Sequence, residues 1–231
     1  FLLTFLTTFL TSCISAGQNT KPIPTKAFVK VFRTLEVTKC KKDVKCSTGK
    51  WVSTGSGVSV KLDNGEKIIL TAGHICTPSF SEDFYKQVEE YSSFLHILDY
   101  NSDMHQAHVI ISELENGQGN IDACALFVPS FEGESVAISK TNPKPGDEIW
   151  AMAAPAGVYH PPTVLIQKGI YSGVIDASSS LISLHATGGS SGSGILNKNL
   201  ELVGILFAVN SKFKSATIIT NYKATLHFIK K

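Results

Sequence analysis

The feature that most constrains this sequence is a close succession of short segments in which apolar and polar residues alternate, as they do in β-strands. The clearest lies at 51–74, where the alternation leads into the turn-forming sequence Asp63-Asn64-Gly65 and apolar residues resume at Ile68. Strand patterns recur at 26–37, 107–114, 122–129, 147–155, 163–176, 180–186 and 201–209. No long stretch keeps a convincing 3.6-residue period, and turn residues separate the segments at short intervals. The sequence therefore predicts an all-β sandwich or barrel.

Two segments have helical character. Residues 81–91 begin at Ser81, a good N-cap, and carry acidic residues in the first turn. We expect them to form a covering helix in an insertion that runs to about residue 105. Residues 221–231 end in two lysines, which suit a helix C-terminus, and predict a short C-terminal helix. Between these segments, a boundary near 129–135 leaves about six strands on either side.

The overall composition narrows the class of protein. The chain has 231 residues, of which 43% are apolar and 17% charged, and a formal net charge of +2. These values suit one globular unit or two small lobes that share an interface. A nearly balanced charge without a polybasic run predicts no nucleic-acid partner.

The N-terminal residues differ from the rest of the chain. Residues 1–13 are apolar, uncharged and too short to span a bilayer, and they resemble the apolar region of a secretory signal. The sequence Leu-Thr-Ser-Cys at 10–13 also resembles a bacterial lipobox, in which Cys13 would carry lipid and attach the protein to a membrane; an ordinary signal peptide remains the alternative. Residues 14–26 read as a polar tether. We therefore expect an exported protein, either secreted or lipid-anchored at a cell envelope.

The four remaining cysteines suit an exported chain. Cys40 and Cys46 are close in sequence and could clip a hairpin, whereas Cys76 and Cys124 could form a second bridge or be small buried residues. Their spacing fits neither a CxxC nor an HExxH metal motif, so no metal is expected.

Three residues at the ends of strand patterns could carry chemistry. His74 follows an apolar strand in "ILTAGHICT", Asp122 precedes one in "GNIDACALFV", and Ser191 lies in the loop "GGSSGSG" between two strands. A serine hydroxyl needs a neighbouring base to take its proton, an imidazole can do so near neutral pH, and a carboxylate fixes the tautomer of that imidazole. Gly189 could help two backbone N–H groups to converge on a developing oxyanion, because such a turn often needs a φ that only glycine adopts cheaply.

Each of these assignments has rivals. Asp99 and Asp103 also lie between His74 and Ser191, although an apolar strand directly follows only Asp122. The serines that flank the candidate nucleophile, 190 and 193, lack the pattern of a glycine two residues before and another directly after. The two tryptophans, Trp51 and Trp150, are expected in the core.

The three motifs in this order resemble the chymotrypsin-like serine proteases, most closely the trypsin-like branch of bacteria and viruses that includes the HtrA (Deg) proteases. Three further segments are similar to strands of that branch: "GDEIWAMAAPAG" at 146–157, "KGIYSGVI" at 168–175 and "LVGILFAV" at 202–209. Each motif alone is weak, but the ordered set is a strong signal. The resemblance covers about residues 27–229.

The resemblance implies two Greek-key β-barrels, which we place at 27–131 and 132–231, with a triad in the cleft between them. It implies His74 as general base, Asp122 as the residue that orients it and Ser191 as nucleophile. The amides of Gly189 and Ser191 would form the oxyanion hole, and no cofactor is needed.

Comparison with the same family shows one departure and suggests one pocket. Trypsin-type zymogens have an aspartate just before the nucleophile, whereas this chain has Ser190, so we expect no activation by a newly cut N-terminus. His185 occupies the position that often forms the base of the primary specificity pocket and could favour an acidic or polar substrate side chain. Ala208 and Val209 could line the same pocket and favour small or apolar groups, which conflicts with the first cue.

The sequence therefore predicts an exported serine endopeptidase that acts on a polypeptide substrate. One alternative is a catalytically silent, protease-like module of an envelope lipoprotein that binds peptides. Another is a structural lipoprotein of a cell envelope or virion. The intact set of three residues argues against the silent module.

Overall fold

The computed structural model describes residues 21–77, 80–114 and 121–231. The signal-like segment 1–13, with Cys13, and most of the tether 14–26 lie outside these ranges. No helix among the described residues is long and apolar enough to cross a membrane.

Six strands of the N-terminal half close into the first barrel. They are β1 (Phe28–Cys40), β2 (Gly49–Lys61), β3 (Lys67–Thr71), β4 (Val88–Leu98), β5 (Met104–Glu113) and β6 (Ala123–Phe127). Their order around the barrel is β1-β2-β3-β6-β5-β4, and β4 pairs with β1 to close it. Two short helices lie between strands, α1 (Gly73–Cys76) and α2 (Glu82–Gln87).

The C-terminal half forms a second barrel, preceded by the two-residue strand β7 (Val136–Ala137), which pairs with β2. The barrel strands are β8 (Glu148–Ala153), β9 (Leu165–Val174), β10 (Ser179–Ser183), β11 (Gly194–Leu196), β12 (Leu202–Val209) and β13 (Ala216–Thr220). Their order, β8-β9-β10-β13-β12-β11, repeats that of the first barrel strand for strand. The C-terminal helix α3 (Tyr222–Ile229) follows, with Asn221 as its N-cap. The two barrels and the short final helix are those of the expected chymotrypsin-like fold.

Three apolar clusters fill the molecule. One lies inside each barrel, and the third spans both, because it contains Phe28 and Val60 of the first barrel together with Met152 and Ile205 of the second. Between the barrels, Ile138 follows β7 and bridges to Leu202 of β12. The division of the chain near residue 131 stays a prediction.

The segment 81–105 differs from the expected covering helix. The helix ends at Gln87, and residues 88–98 continue as β4, a full strand of the barrel. Leu95 and Ile97 of this strand alternate into the core, whereas Phe94 is 43% exposed. The prediction was wrong because the amphipathic start of the segment, with its N-cap Ser81, hid the two-residue period that follows it.

Both candidate disulfides are formed in the structure. Cys40–Cys46 clips the loop between β1 and β2, and Cys76–Cys124 joins α1 to β6. Trp51 lies on β2 and is 48% exposed, so the expectation that it belongs to the core was wrong. The hairpin that carries it projects beyond the barrel, which the local pattern does not reveal.

Candidate active site

The topology of the first barrel places His74 beside Asp122. Strands β3 and β6 are antiparallel neighbours, and Thr71 at the end of β3 pairs with Cys124 near the start of β6. His74 lies in α1, just after β3, and Asp122 directly precedes β6, so both residues lie at the same edge of the sheet.

The carboxylate of Asp122 contacts His74 at two points. The imidazole Nδ1 lies 2.8 Å from Oδ2, and the backbone N–H of His74 donates to Oδ1 at 3.0 Å. The Asp122 side chain is only 12% exposed, whereas that of His74 is 40% exposed, which leaves Nε2 as the ring nitrogen without a carboxylate partner. A buried carboxylate on Nδ1 favours the tautomer whose Nε2 can accept a proton.

Arg33 supports the same short helix from strand β1. Its guanidinium donates to the carbonyl oxygens of His74 at 3.1 Å and of Ile75 at 3.4 Å. Partial burial lowers the pKa of this guanidinium from its ordinary value. A cation at the C-terminal end of a helix is favourable, so Arg33 helps to hold the segment that carries His74.

Ser191 lies in the loop before β11, at the edge of the second barrel that faces α1. A Cβ atom on Gly55 would lie 3.0 Å from the Ser191 carbonyl oxygen and 3.0 Å from the Ile75 side chain, and one on Gly192 would lie 3.0 Å from Ala72 N. Within the described residues, Ser191 Oγ makes no hydrogen bond, including none to His74. Hydrogen bonds of this kind are often long before substrate binds, so the placement remains compatible with proton transfer.

The loop before Ser191 leaves two N–H groups available. The carbonyl of Gly188 accepts a hydrogen bond from Ala156 N at 2.6 Å, and because a trans peptide directs C=O and N–H to opposite sides, the N–H of Gly189 points away from Ala156. Ser190 N donates to Thr187 O at 2.9 Å. Within the described part of the chain, the N–H groups of Gly189 and Ser191 have no acceptor. Gly189 has φ +90, which only glycine adopts at low cost.

The rival residues occupy other environments. Asp99 accepts the N–H groups of Asn101 and Asp103 in a turn and lies 3.2 Å from His105 Nε2. His105 Nδ1 lies 2.7 Å from Ser130 Oγ, so this cluster is a second serine–histidine–aspartate series, away from His74. The two serines that flank the candidate nucleophile, 190 and 193, are fully buried.

The three specificity candidates flank one segment. Leu184 N and Ala186 N donate to the carbonyls of Ser215 and Lys214, so the segment after β10 that carries the exposed His185 runs along residues 214–215. Ala208 and Val209, at the end of β12, pair with Ile218 and Thr217 of β13, which follows that segment. The structure therefore brings His185, Ala208 and Val209 to the same region of the second barrel, and the preference of a pocket there stays a prediction.

Ser56 is a functional candidate that the sequence interpretation missed. It lies in β2, fully buried; its N–H donates to the Ser191 carbonyl at 2.7 Å and its Oγ to the Gly189 carbonyl at 2.8 Å. The same Oγ accepts from Ala154 N at 2.9 Å, and Thr71 Oγ1 donates to the Ser56 carbonyl at 2.7 Å. The signal was its setting between Gly55 and Gly57, since glycines inside a strand mark the close approach of another backbone.

No group of three or more His, Cys, Asp or Glu side chains in the described ranges could hold a metal ion.

The fold resembles that of several solved proteases. A serine endoprotease from Yersinia pestis is 17% identical, with a TM-score of 0.63 over 90% of this chain and 63% of its own. The Rv3671c protease from M. tuberculosis, in its active form, is 14% identical, with a TM-score of 0.63 over 90% of this chain and 81% of its own. The HtrA-type protease AlgW with a decapeptide is 16% identical, with a TM-score of 0.65 over 90% and 64%.

These identities are low, so the likeness is one of fold, and the chain spans less than two thirds of the length of the first and third of these structures. No curated protein is similar enough in sequence to be matched. The sequence does match the trypsin-like peptidase domain over residues 55–205, which include His74, Asp122 and Ser191. The chain belongs to the trypsin-like peptidase domain family, and its fold is that of the chymotrypsin-like, HtrA-related serine proteases.

Proposed function

We propose that this protein is a serine endopeptidase that cleaves polypeptides through His74, Asp122 and Ser191. The observation that carries the proposal is the contact between His74 Nδ1 and Asp122 Oδ2 at 2.8 Å, which leaves Nε2 of an imidazole on α1 available as a base. The nearby Ser191 loop supplies a serine and two N–H groups that have no acceptor among the described residues. A decapeptide is bound by the HtrA-type protease AlgW, and we extend that class of ligand to this chain.

The proposed reaction has two halves. Ser191 Oγ attacks the carbonyl carbon of the scissile peptide bond while His74 Nε2 takes the hydroxyl proton, and the negative oxygen that forms accepts from Gly189 N–H and Ser191 N–H. Collapse of this intermediate breaks the C–N bond, and His74 gives the proton to the leaving amine. Water then attacks the acyl-enzyme with His74 again as base, which releases the acid and restores Ser191.

Export of the protein is part of the proposal. It is supported by the two disulfides, because such bridges persist in oxidising compartments and are rare in the cytosol. A lipid on Cys13, and with it membrane attachment, stays a prediction, and mass spectrometry of the N-terminal peptide from native membranes would test it.

Labelling with a fluorophosphonate probe tests the catalytic assignment. We expect the probe to modify Ser191 in the wild type, as mapped by mass spectrometry, and to lose at least about a thousandfold in rate in Ser191→Ala and His74→Ala, because both variants lack a member of the triad. Asp122→Asn, which keeps the shape of the side chain, should lose a similar factor.

Ser130→Ala is the matched control, because Ser130 also contacts a histidine that contacts an aspartate. Its labelling should equal that of the wild type. A folded wild-type protein that takes no label at Ser191 would contradict the proposal and favour the silent peptide-binding module.

A further inference from the structure

Strands β1, β2 and β4 extend beyond the first barrel as a three-stranded sheet. Leu35 pairs with Trp51 on one side and with Ser93 on the other, well past the closed part of the barrel. The disulfide Cys40–Cys46 closes the tip of this extension. Helix α2 packs on one face near the tip through Phe84, whose ring centroid lies 5.3 Å from that of Tyr91.

The face that α2 partly covers leads to the candidate active site. On β2, a Cβ atom at Gly55 would contact the Ser191 carbonyl and the Ile75 side chain. Residues two apart share a face of a strand, so Ser53 and Trp51 lie on that same face. On β1, their partners are Arg33 and Leu35, and Arg33 donates to the His74 carbonyl. One continuous surface therefore runs from Ser191 and His74 to the tip.

An apolar groove of about 300 Å³ lies on this face. Its apolar lining comprises Leu35, Val37, Cys46, Trp51, Phe84 and Val88. Trp51 is 48% exposed, so a large apolar surface in the groove is available to a ligand. Exposed aromatic side chains around an apolar depression are typical of binding sites.

The chemistry of the reaction decides which part of a substrate reaches the groove. His74 must protonate the leaving amine, and it belongs to the first barrel, whereas the candidate specificity residues belong to the second. The acyl half of the substrate thus lies on the second barrel, and the half that follows the scissile bond lies along β2. From Gly55 to Trp51 is four residues, or roughly 13 Å at the rise of a strand. An extended substrate covers that distance in about four residues.

From this geometry we propose that the groove binds the polypeptide substrate downstream of the cleaved bond, through an aromatic or large aliphatic side chain three to five residues after it. This inference rests on the proposed endopeptidase function. The groove is a substrate-binding site in its own right, since its lining comes from the clipped hairpin and α2 rather than from the residues that contact the reacting atoms.

The first test is a synthetic peptide library digested by the full chain, with cut positions identified by mass spectrometry. We expect aromatic and large aliphatic residues to be enriched at the third to fifth positions after the cut. One cleaved sequence is then made as a fluorogenic pair that differs only by Phe or Ser at the enriched position. The Phe peptide should be cleaved with about a tenfold higher kcat/KM.

Variants of the groove test whether it causes the preference for Phe over Ser at this position. Trp51→Ala should reduce the tenfold ratio to about one, and Trp51→Phe should restore most of it. Phe94→Ala is the matched control, because Phe94 is an aromatic residue of similar exposure on the opposite face of the same sheet, and it should keep the ratio. Circular dichroism of each variant verifies that the hairpin is intact.

The outcomes separate the two proposals. Cleavage by the wild type without downstream enrichment, or a ratio that survives in Trp51→Ala, would overturn the groove alone. An equal fall of the Phe-to-Ser ratio of kcat/KM in Trp51→Ala and Phe94→Ala would also overturn the groove proposal. The fall would then reflect a general loss of stability. Absence of any cleavage by folded protein would overturn the endopeptidase function together with the groove that rests on it.

Discussion

At the scale of single residues, Ser56 connects the two barrels at the site. Its hydroxyl is shared between the carbonyl of Gly189 and the N–H of Ala154, both in the second barrel, while the residue itself belongs to the first. All three groups are buried or nearly so. In the proposed reaction Ser56 is therefore a positioning residue, which holds the loop with Gly189 and Ser191 through the Gly189 carbonyl rather than by touching the substrate.

Replacing Ser56 with alanine should slow the chemistry more than it weakens binding. The Gly189 carbonyl loses its donor, and we expect kcat to fall about 10- to 100-fold with little change in KM, and stability to fall by about 1–3 kcal/mol. Ser59→Ala serves as control, because Ser59 is an equally buried serine of the same strand whose hydroxyl contacts that of Ser135 rather than the loop with Ser191. It should lose stability but keep kcat; an equal fall in kcat would assign the effect of Ser56 to general destabilisation.

Gly192 is the second residue with a sharp requirement. It has φ +91, and a Cβ atom there would overlap the Ser56 carbonyl oxygen and Thr71 Oγ1. Gly192→Ala should displace Ser191, and a shift of about 1 Å costs on the order of 10²-fold in the rate of probe labelling. Gly188→Ala, which meets nothing within 4 Å, should label at the wild-type rate. Wild-type labelling of Gly192→Ala would show that the loop tolerates a side chain there.

At the scale of elements, the two disulfides have different relations to the site. Cys76 lies two residues after His74, and Cys124 lies two residues after Asp122, so this bridge fixes the two segments that carry the histidine and the aspartate. The Cys40–Cys46 bridge closes only a short loop at the tip of the extended hairpin.

Removing each bridge should therefore have a different result. The double variant Cys76→Ala, Cys124→Ala should lose about 4 kcal/mol of stability, because the bridge closes a long loop with a sequence separation of 48, and should also lose probe labelling. The corresponding variant of Cys40 and Cys46 should lose about 2 kcal/mol and keep its labelling. Urea unfolding and labelling rates measure both effects; an identical labelling loss in the two variants would contradict the assignment.

Much of this architecture could be predicted from local patterns. The hairpin around Asp63-Asn64-Gly65 lies where the sequence predicts it, between β2 and β3. Both the turn and the alternation of apolar residues depend on neighbouring residues alone. The neighbouring positions of His74 and Asp122 follow from strand ends, which are also local features. The family match over residues 55–205 then supports the order of the three motifs.

The remaining features depend on contacts between distant segments. Ser56 is separated from its partner Gly189 by 133 positions, and although Gly55 and Gly57 indicate the close approach of another backbone, they do not identify which segment approaches. The exposed position of Trp51 depends on how far β1, β2 and β4 extend together, which is set by pairing across the chain. Strand β4 was missed because a helical start and a strand follow each other within one segment.

At the scale of the whole molecule, one apolar cluster joins the barrels. Phe28 of β1 is fully buried, and its ring centroid lies 5.0 Å from that of Tyr159 of the second half. The Tyr159 hydroxyl donates to the Asp99 carbonyl at 2.8 Å, and burial raises the pKa of this tyrosine well above its ordinary value. The barrels are therefore coupled both by apolar packing and by a buried hydrogen bond.

This shared cluster predicts that the barrels unfold together. Phe28→Ala should cost about 3–5 kcal/mol and should lower the hydrogen-exchange protection of β10–β13 as much as that of β3 and β6, because the cavity opens in a core that both barrels use. Val136→Ala removes fewer atoms from the same cluster. It should also lower hydrogen-exchange protection in both barrels, but by less than Phe28→Ala does. Protection that falls only in the first barrel would mean that the two halves are separate cooperative units.

The hydrogen bond from Ser56 to the Gly189 carbonyl also bears on when the loop with Ser191 takes its shape. In a zymogen, the corresponding loop is ordered only after a new N-terminus has been cut, so the protein is inactive between synthesis and cleavage. Here the residue before the proposed nucleophile is the buried Ser190, and the loop contacts a serine of the first barrel, Ser56. We therefore expect the loop that carries Ser191 to take this shape when the two barrels pack together, because its partner Ser56 belongs to the first barrel.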